Sequence, residues 1–213
     1  MRAITASCFA AALTASSACL AQQWEFGLFA GYGASRDVSI TNATGTAKAG
    51  FQSQVVAGLV LGEDLYRRLG GEFRYTFRAG DLRLKSGGVE ATREGQAHAF
   101  HYDLLLHATP KEARIRPYAA GGGGVKWYIG EGVERASQPL SSFAALTKTA
   151  QTVGLVTFGG GVKAMISERV LFRADFRDYV TPFPDRLFAT PRTAKEHGWL
   201  HDFVTTAGIS FVF

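Results

Sequence analysis

The stretch 69–85, LGGEFRYTFRAGDLRLK, decides the fold. From Gly71 onward, Phe73, Tyr75, Phe77 and Ala79 occupy alternate positions, with Glu72, Arg74, Thr76 and Arg78 between them. A side-chain period of two is that of a β-strand. The quality of the faces is unusual, because one is aromatic and the other charged. Such a strand suits lipid on one side and a narrow polar interior on the other.

The same alternation recurs along the chain. Trp24, Phe26, Leu28, Ala30 and Tyr32 alternate with Glu25, Gly27, Phe29, Gly31 and Gly33. Phe51, Val55, Ala57, Leu59 and Leu61 form a second apolar series, and Phe100, Tyr102, Leu104 and Leu106 a third, set against His101, Asp103, Leu105 and His107. Ala119, Val125 and Trp127 oppose Tyr118, Lys126 and Tyr128; Val156, Phe158, Val162 and Ala164 oppose Thr157 and Lys163. Phe172, Ala174 and Phe176 oppose Arg173, Asp175 and Arg177. In the last run Trp199, Phe203, Ala207, Ile209, Phe211 and Phe213 oppose Asp202, Thr206, Gly208 and Ser210.

With 69–79 this makes eight strands. Their connections alternate: 35–49, 86–93, 130–150 and 181–197 are long, whereas 63–68, 109–114 and 167–169 are short. An even strand count with alternating long and short hairpin connections predicts an all-β chain, an eight-stranded antiparallel up-and-down transmembrane β-barrel. About 10 residues per strand, at roughly 3.3 Å each and tilted about 40°, rise the roughly 25 Å of an outer-membrane apolar band. Closure is required, because an open sheet edge in hydrocarbon leaves backbone groups unpaired.

Which face points outward separates this barrel from a soluble, lipocalin-like binder. An eight-strand barrel has an interior just filled by side chains. The aromatic face is too bulky for it, while the other face is rich in glycine. Trp24, Tyr32, Phe51, Tyr75, Trp127 and Trp199 fall near strand ends, as an interfacial girdle requires. The polar exceptions on the outward face, His98, Asp178 and His201, fall near the long connections, at headgroup level.

The first 21 residues read as a secretory signal peptide: a positive charge at Arg2, an apolar small-residue stretch, and Ala21 before the expected cut. Residues 22–213 are then the barrel domain. Both cysteines, Cys8 and Cys19, go with the leader, so no disulfide or cysteine metal site is expected. The formal charge of +5 is interleaved with acids in an exported chain, so nucleic acid is not an expected partner.

Within the lumen the alternation places Glu25, Glu72, Arg74, Arg78, Asp103, Lys126, Lys163, Arg173, Asp175 and Arg177. Opposite charges in so narrow a space should pair, which predicts a structural plug; a selective solute path is the alternative. His101, His107 and Asp103 share this face but lack a fourth ligand or a nucleophile, so no metal, cofactor or catalytic site is expected. GGGG at 121–124 is not followed by the Lys-Ser/Thr of a phosphate loop and reads as relief of crowding in a tightly bent strand. Phe183, Leu187 and Phe188 stand in a long connection and either pack over the barrel mouth or form a contact surface for an extracellular ligand.

Over residues 22–213 the chain resembles the small eight-stranded outer-membrane barrels of the OmpA/OmpX-like family. The features that carry the resemblance are the leader, the dyad strands, the alternating connections and the terminal GISFVF. The resemblance implies that Ile209, Phe211 and Phe213 form the signal read by the outer-membrane assembly machinery. It also implies a bacterial outer-membrane location among lipid and lipopolysaccharide. The chain stops at the last strand, so the periplasmic peptidoglycan-binding domain of OmpA itself is not expected. The expected function is non-enzymatic, structural or surface-interacting, with a narrow passive pore as the alternative. Lipid A modification fits less well: the resemblance would set a serine two residues after a membrane-facing histidine, whereas Phe203 follows His201.

Overall fold

The computed structural model describes residues 23–133 and 137–213. The expected leader and both cysteines lie outside the described residues. The described residues contain strands and turns and no helix. The first strands are β1 (Trp24–Arg36), β2 (Val38–Asn42), β3 (Gly45–Phe51), β4 (Gln54–Asp64) and β5 (Leu69–Ala79). They are followed by β6 (Leu82–Ser86), β7 (Val89–Arg93), β8 (Gly95–His107), β9 (Ile115–Gly130) and β10 (Ala145–Leu146). The last are β11 (Ala150–Met165), β12 (Val170–Thr181), β13 (Phe188–Ala189), β14 (Lys195–His197) and β15 (Leu200–Val212).

Eight of these close a barrel in the order β1-β15-β12-β11-β9-β8-β5-β4, each antiparallel to its neighbours. Their 11 to 16 residues suffice for the membrane's apolar band. The seam between the first and last strands keeps outward residues opposite one another, Phe26 to Phe211, Leu28 to Ile209 and Ala30 to Ala207. It is finished by reciprocal backbone hydrogen bonds between Trp24 and Phe213, at 3.0 and 2.9 Å.

The alternation has the predicted phase. Phe26, Leu28, Phe73, Phe100, Val156, Phe176 and Ile209 are exposed on the outside, while Arg74, Arg173 and Arg177 are buried within. Sliding β5 by one residue would exchange Arg74 and Arg78 for Phe73 and Phe77, setting two arginines in lipid at roughly 2 to 4 kcal/mol each near the midplane.

The glycine run in β9 answers to crowding inside. A Cβ at Gly122 would lie 2.0 Å from the Tyr102 carbonyl oxygen and 2.5 Å from Asp103 Oδ1, and one at Gly124 would lie 2.0 Å from the Phe100 carbonyl oxygen. These two positions let β9 approach β8 while leaving room for the lumen side chains of Asp103 and His101.

The long connections are not loops in the sense expected. Their strands form a five-stranded sheet, β14-β2-β3-β6-β7, and a two-stranded sheet, β10-β13. The β6–β7 hairpin turns on Gly87 and Gly88, both at positive φ (56° and 80°), the pair a tight primed turn needs. These elements share one apolar core over the barrel mouth, built from Ile40, Ala49, Leu82, Leu84, Leu146, Leu187 and Phe188. Each large side chain buried there contributes about 1.5 to 3 kcal/mol. Polar groups stitch the cap: Gln138 clamps the Leu146 backbone with two 2.9 Å hydrogen bonds, and Arg83 donates from Nη2 to both Asp37 carboxylate oxygens at 2.9 and 3.0 Å.

One outward assignment is corrected, and a second is sharpened. Phe51 is not part of the aromatic girdle; it ends β3 and stacks on Tyr128 inside the cap, ring centres 5.0 Å apart. The break at Gln52 and Ser53 resets the alternation, so the phase of β4 does not extend back to it. Asp178 does face outward, as expected, and it is only 4% exposed and accepts a 2.8 Å hydrogen bond from the His201 imidazole.

Candidate functional site

The lumen and the cap above it form one continuous candidate site. The ten charged residues expected inside the barrel are all buried, in two tiers. The lower tier joins Glu25, Glu72, Arg74, Asp103, Lys163, Arg173, Asp175 and Arg177. Glu72 is its hub, accepting from Arg74 at 3.0 Å, Arg173 at 2.8 Å and Arg177 at 2.7 Å. Arg173 extends the network to Glu25 at 2.9 Å and to Asp175 at 3.1 Å, and Lys163 closes on Glu25. Tyr118 donates to Asp175. Alternation on five strands, β1, β5, β8, β11 and β12, brings these groups into one network.

A waist of Phe29, Val56, Val60, Ala99, Leu155, Tyr179 and Val204 separates the tiers. The Arg74 guanidinium lies over the Phe29 ring, 4.3 Å from its centre, so the apolar waist also caps the ionic tier. Above it, Asp202 receives Arg78, Lys126 and the Ser35 hydroxyl.

His101 is bound at both ring nitrogens: Nδ1 lies 3.0 Å from Asp103 Oδ1, and Nε2 lies 3.3 Å from the Tyr179 hydroxyl. His107 does not join that pair but packs beside Tyr118 near the short-turn end, ring centres 5.5 Å apart. Among the described residues no three metal-ligating side chains gather. The mouth at the short-turn end keeps a cleft of about 150 Å³, bordered by a forked Arg116–Asp64 pair at 2.8 and 3.0 Å.

Phe183, Leu187 and Phe188 are buried in the cap core, so they do not form the exposed contact surface that was one of their two expected roles. Phe188 meets Phe183 and Phe51 at 5.0 and 5.8 Å. The cap offers outward Thr41, Thr46, Lys48 and Thr92 instead. Ile209, Phe211 and Phe213 are exposed on the lipid-facing side of the barrel.

Several contributors escaped the sequence reading. Asp202 lay on the correct face but was not grouped with the charges, although Lys126 and Arg78 otherwise lacked a carboxylate. Asp64 and Arg116 sit where strands meet turns and the period stops carrying information. The Thr and Lys positions of the cap sheet alternate with buried Val38, Ile40, Ala47 and Ala49, a signal present in 38–49 but shorter than a membrane strand.

No family model and no curated protein matches the chain. Among solved structures it is similar to the outer membrane protein OprG from Pseudomonas aeruginosa, with a TM-score of 0.56 and 13% identity over 89% of this chain and 95% of that one. It is also similar to Neisserial surface protein A, with a TM-score of 0.50 and 12% identity over 90% and 97%. The likeness is one of fold. A closed eight-stranded barrel with this apolar exterior has the architecture of a bacterial outer-membrane protein.

Proposed function

We propose that this outer-membrane barrel is non-enzymatic and non-conducting, and that it acts through its folded extracellular cap as a structural and surface-interacting element of the envelope. The observation that carries this reading is the filled lumen: two ionic tiers, an apolar waist and a cap with its own core lie in series between the two mouths. An ion crossing it would have to part buried pairs whose separation leaves uncompensated charge. Burial supports the non-enzymatic reading: His101, between Asp103 and the Tyr179 hydroxyl, is only 1% exposed inside the filled lumen, and the group stacked on His201 is the Phe203 ring.

In this reading the outer face of the cap sheet meets an extracellular ligand, the apolar belt meets lipid and lipopolysaccharide, and Ile209, Phe211 and Phe213 address the assembly machinery. Planar-bilayer recording of the refolded protein tests it. The wild type should give no discrete conductance steps. Steps that change in size when Arg78 or Lys126 is neutralised would show a conducting lumen and overturn the proposal in favour of a narrow pore.

A further inference from the structure

The five-stranded cap sheet ends on β7, which pairs with β6 alone. Across the Gly87-Gly88 turn Ser86 faces Val89, and a two-residue hairpin closes on a hydrogen-bonded pair. Counting on from Val89, Ala91 and Arg93 turn their backbone groups to β6, whereas Glu90 and Thr92 turn theirs to the open edge. Among the described residues no main-chain group of 89–93 bonds beyond β6.

Beside this edge runs a groove of about 410 Å³, lined by Glu90, Thr92 and Arg93 of β7 and by Glu131, Pro139 and Leu146 from outside the sheet. That volume is of the order of ligand sites. Arg93 is 8% exposed; its Nη1 donates to the Leu146 carbonyl at 3.1 Å and its Nη2 to the Gly132 carbonyl at 3.4 Å, while its Nε has no acceptor. Main-chain carbonyls thus already serve two of its nitrogens, and a third carbonyl would complete the set. The groove also carries Asp81, Glu90, Glu94 and Glu131 against the single cation Arg93. Among the described residues only Glu90 of these four acids is ion-paired, with Lys85.

We propose that the open edge of β7 docks an extended, basic peptide segment of an extracellular protein, which adds to the cap sheet as a further strand. Glu90 and Thr92 each offer it one N–H and one C=O. Its own carbonyls supply the acceptor that Arg93 Nε lacks, and its lysines or arginines meet the four carboxylates. A second copy of this chain is a poor occupant, because edge-to-edge pairing would set the same acids against one another. The proposal rests on the cap being the surface-interacting part of the molecule, but it makes the edge of the sheet, not its outer face, the point of contact.

Fluorescence anisotropy of the refolded protein in detergent, with a labelled heptapeptide of alternating Lys and Val, tests this. Saturable binding is expected. With Lys opposite Glu90, the Lys amides face β7, so methylating them should weaken binding by roughly tenfold or more, far beyond the effect of methylating the Val amides. Thr92→Pro removes an edge N–H that pairs with nothing inside the sheet and should weaken binding similarly, with the heat-modifiable mobility unchanged. If that variant does not fold, the two methylated peptides still decide. Equal losses from both methylations would mean charge attraction without strand addition, and the absence of saturable binding by the parent peptide would remove the site; either result overturns the proposal. Conductance steps in planar bilayers would overturn the sealed-lumen reading and leave this one standing.

Discussion

Glu72 has three arginines on its two oxygens and is 0% exposed, so it is the residue on which the lumen's ionic order most depends. Glu72→Gln keeps the shape but removes the charge that compensates Arg74, Arg173 and Arg177. Breaking a buried network from one side costs about 3 to 5 kcal/mol, because the remaining charges stay desolvated. Glu90→Gln is the contrasting change, since the Lys85–Glu90 pair at 3.0 Å has side chains 44% and 39% exposed. Solvent screens that pair, and its loss costs less than about 1 kcal/mol. Urea unfolding of both variants in lipid vesicles should separate them clearly. Equal midpoints would mean that the lumen network adds no more stability than a surface pair. Single residues also show where sequence reading failed: Phe51 has the composition of a girdle residue, yet one irregular step at Gln52 and Ser53 turns it into the cap.

At the scale of elements, the cap core and the apolar waist of the lumen are separate clusters, although Ala97, Tyr128 and Leu200 of the barrel strands enter the cap core. They should therefore respond separately to mutation. Phe188→Ala removes a fully buried ring from the cap, a change that costs about 3 to 5 kcal/mol in a well-packed core. The expected result is protease nicking within 131–149 or 182–199 on the extracellular side, while the barrel keeps its heat-modifiable mobility. Loss of that mobility together with the nicking would show one cooperative unit. The barrel strands were legible because each carries five or more alternations between lipid and lumen. The cap strands run from two to seven residues, and their alternation sat in stretches rich in Gly, Thr and Ser that read equally well as loop. GG at 87–88 was the clearest local sign of a hairpin.

For the whole molecule, closure and assembly are distinct steps. The seam of β1 and β15 is paired along its length, and the ring of Phe213 itself is exposed. Deleting Phe213 should therefore lower insertion in an assembly assay far more than it lowers the unfolding midpoint of barrels already folded. Equal losses would mean that the residue acts by packing alone. The exposed aromatic exterior and charged interior also make the barrel's phase a global property: one residue of slip would put every lumen charge of a strand into lipid.

The period of two in 69–79, repeated along the chain, was enough to set the number of spanning strands, which face meets lipid and which charges share the lumen. Those properties depend on alternation and on the exclusion of unpaired backbone and charge from hydrocarbon, both readable one strand at a time. Which charges pair, the sharing of Asp202 between Arg78 and Lys126, and the burial of Phe183, Leu187 and Phe188 in a folded cap depend on the heights at which distant strands bring their side chains together. Strand shear and the packing of connections decide those heights, so they emerged only when the barrel closed.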